Sequence, residues 1–595
     1  MCRIAGIVNT KLPINILENL VGDMCDLQKH GGPDDGGIYI ASNENLVLGN
    51  RRLSLLDLTT AGHQPMQYGT RYTITYNGEL YNFKTLKLEL QNLGMQFKNG
   101  TDTEVILAAF AQWGTNCFAK LNGMFAFALW DNVIKKLYIV RDAAGIKPLY
   151  YSTYTGGLVF ASEMRAFAPI PYLQEKNENV AVYQLAYGFL PEPVTTLKSV
   201  SALPKGCFLE YDCISHLYSL QTFSFFSFSE RIYNEKDAKQ LIFYKLSDAV
   251  SRQMIADAPV GVFLSGGIDS AIIANLASSN AKNNLHTLSI YFDEKKYSEK
   301  KYQDLVAEKL KSKHHSILLT ENNFHAHFSD IIKAMDMPTC DGINTWFISK
   351  FAADEGLKAV LSGVGADELF GGYPSFKRIG KALVVQNMPS SLLKMVASTN
   401  TKKLGRISYL KMDGMRGMYL FLRGHFTPKE IAAQLGGYEK DIWNTLASHP
   451  NSPTLKIKTK KNIASWLEFN YYMQDQLLRD ADVMSMAHGL EIRVPFLDNE
   501  LIEPVNAIAG NIKYAGKLGK QILVNAFENI LPNEIWNRPK MGFSFPFAEW
   551  LKNSEYFKAL MHAENVNTKK ACNDYLLGKL HWSRIMSLIV LKNRF

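Results

Sequence analysis

The first third of the chain alternates apolar and polar residues in short runs: RIAGIVN, GIYIAS, NLVLGN, YTITYNGE, FAFALW, LYIVRD and GLVFAS. Period-two alternation of this length predicts half-buried strands separated by turns. Two stretches, Leu17 to Leu27 and Thr103 to Trp113, carry helical spacing instead. Strands up to about Arg165 with few helices between them predict antiparallel sheets covered by helices, an α+β layered sandwich. From Val182 to Tyr218 the chain is richer in proline, glycine and short strands, which predicts a connector.

After Lys236 the texture changes. APVGVFL, HTLSIYF, HHSILL and KAVLSG are apolar runs alternating with helical spacing, as at Lys300 to Leu310. That order predicts an α/β domain, a parallel sheet with helices on both faces and ligands beyond the carboxyl ends of its strands. The expected division is 2–181, a connector at 182–236, and 237–595. A chain of 595 residues is long enough to require more than one core.

Composition narrows the class. Hydrophobic residues at 47% and charged residues at 20% are ordinary for a globular protein. No apolar run nears the roughly 18 residues of a membrane span, and MCRIAGIVNT is too soon interrupted for a secretion signal, so a cytoplasmic protein without membrane association is expected. The net charge of +9 raises the question of nucleic acid, but basic clusters such as Lys456, Lys458, Lys460 and Lys461 lack aromatic partners and predict a solvated face. The seven cysteines are scattered without CxxC pairs or companion histidines, so reduced thiols are expected.

The densest chemistry lies in Ala258 to Ala274, APVGVFLSGGIDSAIIA, which predicts strand, glycine turn and helix start. Turn amides at Gly266 and Gly267, the positive helix end and the hydroxyls of Ser265 and Ser270 make an anion site, with Asp269 able to hold Mg2+. A second turn, Ser362-Gly363-Val364-Gly365-Ala366-Asp367, follows KAVLSG and brings Asp367 to a neighbouring strand end. Paired acids there suit a Mg2+ ion bridging triphosphate oxygens; a helix cap is the plain structural reading of Asp367. Lys520, in the helix-like GKQILVNAFENIL, is a candidate phosphate contact.

At the other end, removal of Met1 would put the Cys2 thiol and a free α-amine on one residue, and the amine could serve as base for the thiol in attack on an amide. Asn77 and Gly78, expected in a turn after YTITY, could stabilise a tetrahedral oxyanion. Arg52 suits a substrate carboxylate and Asp102 a substrate ammonium. Each also has a plain structural reading: a hairpin turn for Asn77-Gly78, a surface ion pair for Arg52 and a helix cap for Asp102.

SGGIDS resembles the pyrophosphate loop of N-type ATP pyrophosphatases. Cys2, GGPDD, RRLSLLDL, YNGELYN, TDTEVIL, LNGMFAFALWD and RDAAGIKPLYY follow the order of the class II glutamine amidotransferase domain. Together with SGVGADELFGGY, SMAHGLEIRVPFLD and RPKMGFSFPFAEW, the chain resembles the glutamine-hydrolysing asparagine synthetases over nearly its whole length. The resemblance implies an N-terminal nucleophile fold, with Cys2 as nucleophile, Asn77 and Gly78 as oxyanion hole, and Arg52, Leu53, Glu79 and Asp102 around glutamine. It further implies Leu264, Ser265, Ile290, Ser362 and Gly363 around ATP, Asp269 and Asp367 on Mg2+, Lys520 on phosphate, and a homodimer as candidate assembly. Aspartate would be the acceptor.

Several positions depart from that pattern. Gly31 stands where HRGPD carries Arg, and Arg3 stands where Gly is frequent, placing a long cation beside Cys2 with an expected effect on glutamine affinity. Val364 replaces an acid that could take a proton from the attacking nitrogen, while Val483 and Gly489 replace Arg and Ser. Val364 opens the alternative of the same chemistry on another carboxylate, such as a sugar uronate. A non-catalytic relative and a ring-closing ligase are the remaining alternatives; the retained Cys2 set weighs against both.

Overall fold

The structure is a computed structural model that describes residues 2–9, 11–153, 157–281, 284–388, 405–412, 414–450, 457–539, 541 and 545–594. Its first part holds twelve strands: β1 (Arg3–Val8), β2 (Asp35–Ala41), β3 (Leu46–Arg52), β4 (Met66–Tyr68), β5 (Tyr72–Leu80), β6 (Gly123–Asp131), β7 (Lys136–Arg141), β8 (Tyr150–Ser152), β9 (Leu158–Ala161), β10 (Ser201–Ala202), β11 (Cys207–Asp212) and β12 (Tyr218–Thr222). They form two six-stranded antiparallel sheets, ordered β10-β8-β9-β1-β3-β2 and β12-β11-β7-β6-β5-β4. The sheets face each other across a core of Ile4, Val8, Leu46, Leu48, Ala126, Trp130 and their neighbours.

Alternation decides which side chain goes where. In β1, Ile4 and Val8 enter the core between the sheets, whereas Ala5 and Ile7 pack outward with Leu17, Val21 and Met24 of the helix Ile14–Asp26. In β5, Tyr72, Ile74, Tyr76 and Leu80 pack outward with Val105, Ile106 and Ala109 of the helix Asp102–Trp113. The opposite face presents Thr75, whose hydroxyl donates to the Gly49 carbonyl of β3 at 2.9 Å. Asn77 shares this inward parity with Thr75. Asn77, Gly78 and Glu79 are paired in register with Ala126, Phe125 and Met124, so the expected turn is in fact the end of a strand. A Cβ on Gly78 would stand 2.2 Å from the Met124 carbonyl oxygen, so close pairing, and no hairpin, accounts for this glycine.

The stretch read as a connector contributes β10 to one sheet and β11 and β12 to the other, with β11 paired to β7 over five residues. Its short strands were visible in the sequence; their partners, some seventy residues earlier in the chain for β11, were not.

The second part carries β13 (Val260–Phe263), β14 (His286–Tyr291), β15 (Lys313–Leu318), β16 (Ala359–Leu361) and β17 (Glu491–Arg493) in one parallel sheet ordered β15-β14-β13-β16-β17. The chain moves outward from β13 to β15 and returns on the other side at β16. The loops after β13 and β16 therefore diverge, which opens a crevice at the carboxyl ends of these strands. One apolar cluster runs through both parts, from Ala5 and Met124 to Leu490 and Ile492.

Candidate functional site

Two cavities hold the chemistry. The first, about 30 Å³, is lined by Cys2, Arg52, Leu53, Gly78, Glu79 and Asp102 among others. Cys2 immediately precedes β1 and is buried, and burial pushes its thiol up. Met1 lies outside the described residues. Asp102 is not the helix cap: Thr101 fills that place, accepting from the Glu104 amide, and Asp102 opens the helix. Its carboxylate accepts from the Tyr76 hydroxyl at 3.0 Å and the Leu80 amide at 2.9 Å. Burial outweighs these bonds and raises Asp102, and it raises Glu79 well above the usual carboxylate range despite Arg493 nearby. Burial thus favours the neutral form of both carboxyls, and a cation entering the pocket would draw them back to the ionised form.

Arg52 is no surface ion pair. Its guanidinium donates to the carbonyls of Leu56, at 3.2 Å, Thr59, at 3.1 Å, and Asp57, and so fastens the segment over the cavity. Asn77 is fully buried; its Nδ2 lies 3.5 Å from Ser162 Oγ and its Oδ1 has no hydrogen-bond partner among the described residues.

Arg3 follows Cys2 in the chain but turns to the other side of the strand, and its cation does not sit beside the thiol. It pairs with Glu163 at 2.7 Å and with Asp482 of the second part at 2.8 Å, all three buried. Lys147 reaches Asp482 at 3.0 Å. Burial would raise Asp482, but Arg3 and Lys147 overcome it and hold the carboxyl low. Glu79, on the cavity wall, lies 3.5 Å from Arg493 of β17, which also pairs with Glu491 at 2.6 Å. The Arg493 carbonyl accepts from the Ser362 amide at 2.8 Å, so one residue joins the two cavities. Nothing in the sequence singled out Arg493 or Asp482 for this, although both lie in the LLRDADVMSMAHGLEIRVPFLD segment.

The second cavity, about 280 Å³, opens at the crevice between β13 and β16. Leu264, Ser265, Asp269, Ser270, Ile290, Ser362, Gly363, Val364 and Asp367 line it, as expected for neighbouring loops at strand ends. The first loop closes on itself. The Ser265 amide donates to Ser270 Oγ at 3.1 Å, the Ser270 hydroxyl to the Gly267 carbonyl at 3.2 Å, and Gly266 takes a φ of 76° that a side chain would strain. A Cβ on Gly363 would stand 2.9 Å from that of Asp269, so this glycine lets the loops meet.

Lys520 precedes the short helix Gln521–Ala526 and joins the two acids. Its ammonium lies 2.5 Å from Asp269 Oδ2 and contacts Asp367 Oδ1. Burial alone would lower its pKa; the two carboxylates outweigh that and raise it. Asp367 lies in the first turn of Ala366–Phe370, whose N-cap is Gly365, so it is not a cap. Three groups not anticipated in roles of their own stand close by. Glu368 lines the cavity and accepts from the Tyr373 hydroxyl at 2.7 Å; burial and then Asp367 push it up to about 7. Asp480 also lines the cavity, pushed up to about 7 by burial. Arg538 donates to the Gly266 carbonyl at 2.9 Å and stacks on Tyr302. It opens the RPKMGFSFPFAEW motif, in which 540 and 542–544 lie outside the described residues.

Asp269 and Asp367 would offer hard oxygen donors to a divalent cation, but the point between them is filled by the Lys520 ammonium, which would have to move aside for Mg2+ to enter with its phosphate oxygens and waters. Among the described residues no helix is long and apolar enough to cross a membrane.

Family comparisons match the two parts of the chain separately. The glutamine amidotransferase domain family matches residues 1–218 and the asparagine synthase family residues 243–576. The chain is 32% identical over 574 residues to asparagine synthetase (glutamine-hydrolyzing) 1 of Bacillus subtilis strain 168, covering 93% of this chain and 88% of that one. It is 29% identical over 592 residues to asparagine synthetase (glutamine-hydrolyzing) 3 of the same organism, covering 93% and 89%. It is 26% identical over 598 residues to the amidase chry2 of Gibberella zeae, covering 88% and 84%. This chain therefore belongs to the glutamine-hydrolysing asparagine synthetase family and is an amide ligase of that type.

Proposed function

We propose that the chain releases ammonia from glutamine at Cys2 and delivers it to a carboxylate activated by ATP, with aspartate as the first acceptor to consider. The observation that carries this reading is the meeting of Asp269, Asp367 and Lys520 at the diverging strand ends, in a chain that also holds Cys2 in a cavity with Asp102 and Glu79.

The Cys2 thiolate attacks the glutamine side-chain carbonyl, and the oxyanion is received by the Gly78 amide and Asn77 carboxamide. The tetrahedral species expels ammonia, and water then releases glutamate from the thioester. Glutamine would enter beside the segment that Arg52 fastens at the cavity wall. Released from the carbonyls of Leu56, Asp57 and Thr59, Arg52 is free to take the glutamine carboxylate, while Asp102 and Glu79 receive its ammonium.

In the second cavity the acceptor carboxylate attacks the α-phosphorus of ATP, pyrophosphate leaves, and an acyl-adenylate forms. Asp269 and Asp367 would hold a Mg2+ ion, which when bound would supply charge neutralisation at the phosphate oxygens. Lys520, which sits between these acids, adds its own positive charge beside the phosphates. Ammonia attacks the acyl carbon, AMP departs, and a base removes one proton from the new nitrogen. Val364 has no group for that step; Glu368, with one oxygen lacking a partner among the described residues, has. The shared apolar cluster supports transfer of neutral ammonia between the parts, since burial disfavours ammonium.

The test is release of AMP from Mg-ATP and glutamine by protein lacking Met1, with and without aspartate. Asparagine formed in step with AMP supports the aspartate reading. Glutamine hydrolysis with ATP left untouched by aspartate rejects it and leaves a second reading, another carboxylate such as a sugar uronate, which Val364 favours.

A further inference from the structure

A third cavity among the described residues, about 750 Å³, belongs to neither site above. It adjoins the ATP cavity: Asp341 lines both, and Arg423 packs between Tyr373 of the ATP cavity and Tyr472 of the larger one, 4.6 and 3.8 Å from the ring centres. The Nε of Arg423 pairs with Glu468 at 2.7 Å, which fixes it as the partition.

Its walls carry five permanent cations, Arg378, Arg406, Arg423, Arg584 and Lys579, against two carboxylates, Asp341 and Glu430. Glu430 is engaged by Arg584 at 3.2 Å and by the Thr427 amide at 2.7 Å. Arg406 has no carboxylate partner among the described residues; its guanidinium donates to the carbonyls of Gly424, at 3.2 Å, and Leu422, at 3.4 Å. Its pKa is depressed by burial and then by Arg584 and Arg378, and His425 is pushed down to about 3 by burial and the same cluster. Three helices, Pro374–Gln386, Pro428–Leu435 and Trp582–Arg594, begin at this wall, adding the positive ends of their dipoles. With Arg423 and Arg584 paired to Glu468 and Glu430, the remaining cations leave an excess of positive charge among the described wall residues that an anion would relieve.

Aspartate is small against such a space and has no phosphate to offer it. We infer that the larger cavity receives the body of an acceptor whose carboxylate reaches past Arg423 into the ATP cavity, and that this acceptor carries a phosphate ester, either a sugar phosphate or a nucleoside diphosphate sugar acid. Guanidinium groups are suited to phosphate through paired hydrogen bonds, and a cavity of this volume matches a ligand of nucleotide size. This rests on the ligase reading above and specifies its substrate class.

The test uses the full chain with Mg2+ and a non-hydrolysable ATP analogue filling the nucleotide cavity. Glucuronic acid 1-phosphate, UDP-glucuronate, glucuronate and aspartate are titrated calorimetrically. At least one phosphate-bearing ligand is expected to bind tenfold or more tightly than the phosphate-free pair, and the better of the two identifies the source. R378Q and R406Q are each expected to weaken it about tenfold, while K236Q, which removes one exposed charge remote from these walls, leaves it unchanged; thermal unfolding checks that the variants are folded. Equal binding with and without phosphate, or affinity indifferent to both arginines, overturns the inference. AMP release separates the two readings. If aspartate drives it and no phosphate-bearing ligand binds, the ligase reading stands and this one falls; if UDP-glucuronate binds in an arginine-dependent manner yet no carboxylate drives it, the anion site stands and the ligase reading falls.

Discussion

Gly31 lies against Arg3 so closely that a Cβ there would stand 2.8 Å from the arginine Nε. The two departures from the family pattern are thus one feature: Gly31 leaves room for a guanidinium that enters from position 3. R3G should leave Asp482 and Glu163 short of a buried partner and cost about 3–5 kcal/mol of stability, read from denaturant unfolding. G31R alone should destabilise by steric conflict. The double variant R3G/G31R should recover much of the loss, because the new side chain starts beside the vacated space; a double-mutant cycle without coupling would reject the pairing. Glutamine KM should move little in R3G, since Arg3 and Cys2 occupy opposite faces of the strand. At Glu368 the expectation concerns pH. Burial, and Asp367 beside it, favour the protonated form, against the Tyr373 hydrogen bond, and Glu468 adds to the rise. A base must be deprotonated, so ammonia-dependent amide formation should climb with pH and level off once Glu368 has lost its proton. E368Q should lower that rate about 10²-fold or more and remove the limb, with glutamine hydrolysis unaffected.

Among elements, the loops after β13 and β16 form one unit, because Gly363 of the second lies directly against Asp269 and Ser270 of the first. G363A would drive a methyl to 2.9 Å from the Asp269 Cβ and 3.2 Å from the Ser270 amide nitrogen. The expected outcome is an ATP KM raised tenfold or more with glutaminase activity retained; unchanged ATP kinetics would show that the loops yield. The strand ends were legible in the sequence through SGGIDS and SGVGADE, since a buried strand, a glycine turn and a helix start are local features. The end of β5 was not. Asn77-Gly78 carries the composition of a hairpin turn, and only pairing with β6, some fifty residues away, keeps it extended. Lys520 was legible as a phosphate candidate, but its place against both Asp269 and Asp367 comes from chain more than 150 residues distant from either.

At the scale of the molecule, Asp482 is the point where the parts are clasped: Arg3 and Lys147 reach it from the first sheet system while it sits in the helix Arg479–Met486 of the second part. D482N should lower the unfolding midpoint and, if the clasp keeps the cavities in register, raise the glutamate formed per AMP released above one. A variant that unfolds earlier yet keeps that ratio would give Asp482 a structural role alone. Local chemistry encodes the strand and helix periods, the glycine turns, the reacting groups and the order of motifs that marks the family, and all of these are legible in the residues alone. Tertiary structure alone decided that β10 to β12 complete the first sheets, that Arg3 faces away from Cys2, that Arg493 joins the two cavities, and that cations from well-separated segments between 378 and 584 surround one space. The physical reason is that a side chain's period and type are properties of its neighbours in the chain, whereas its burial, partner and field are set by segments that meet it only when the whole chain has packed.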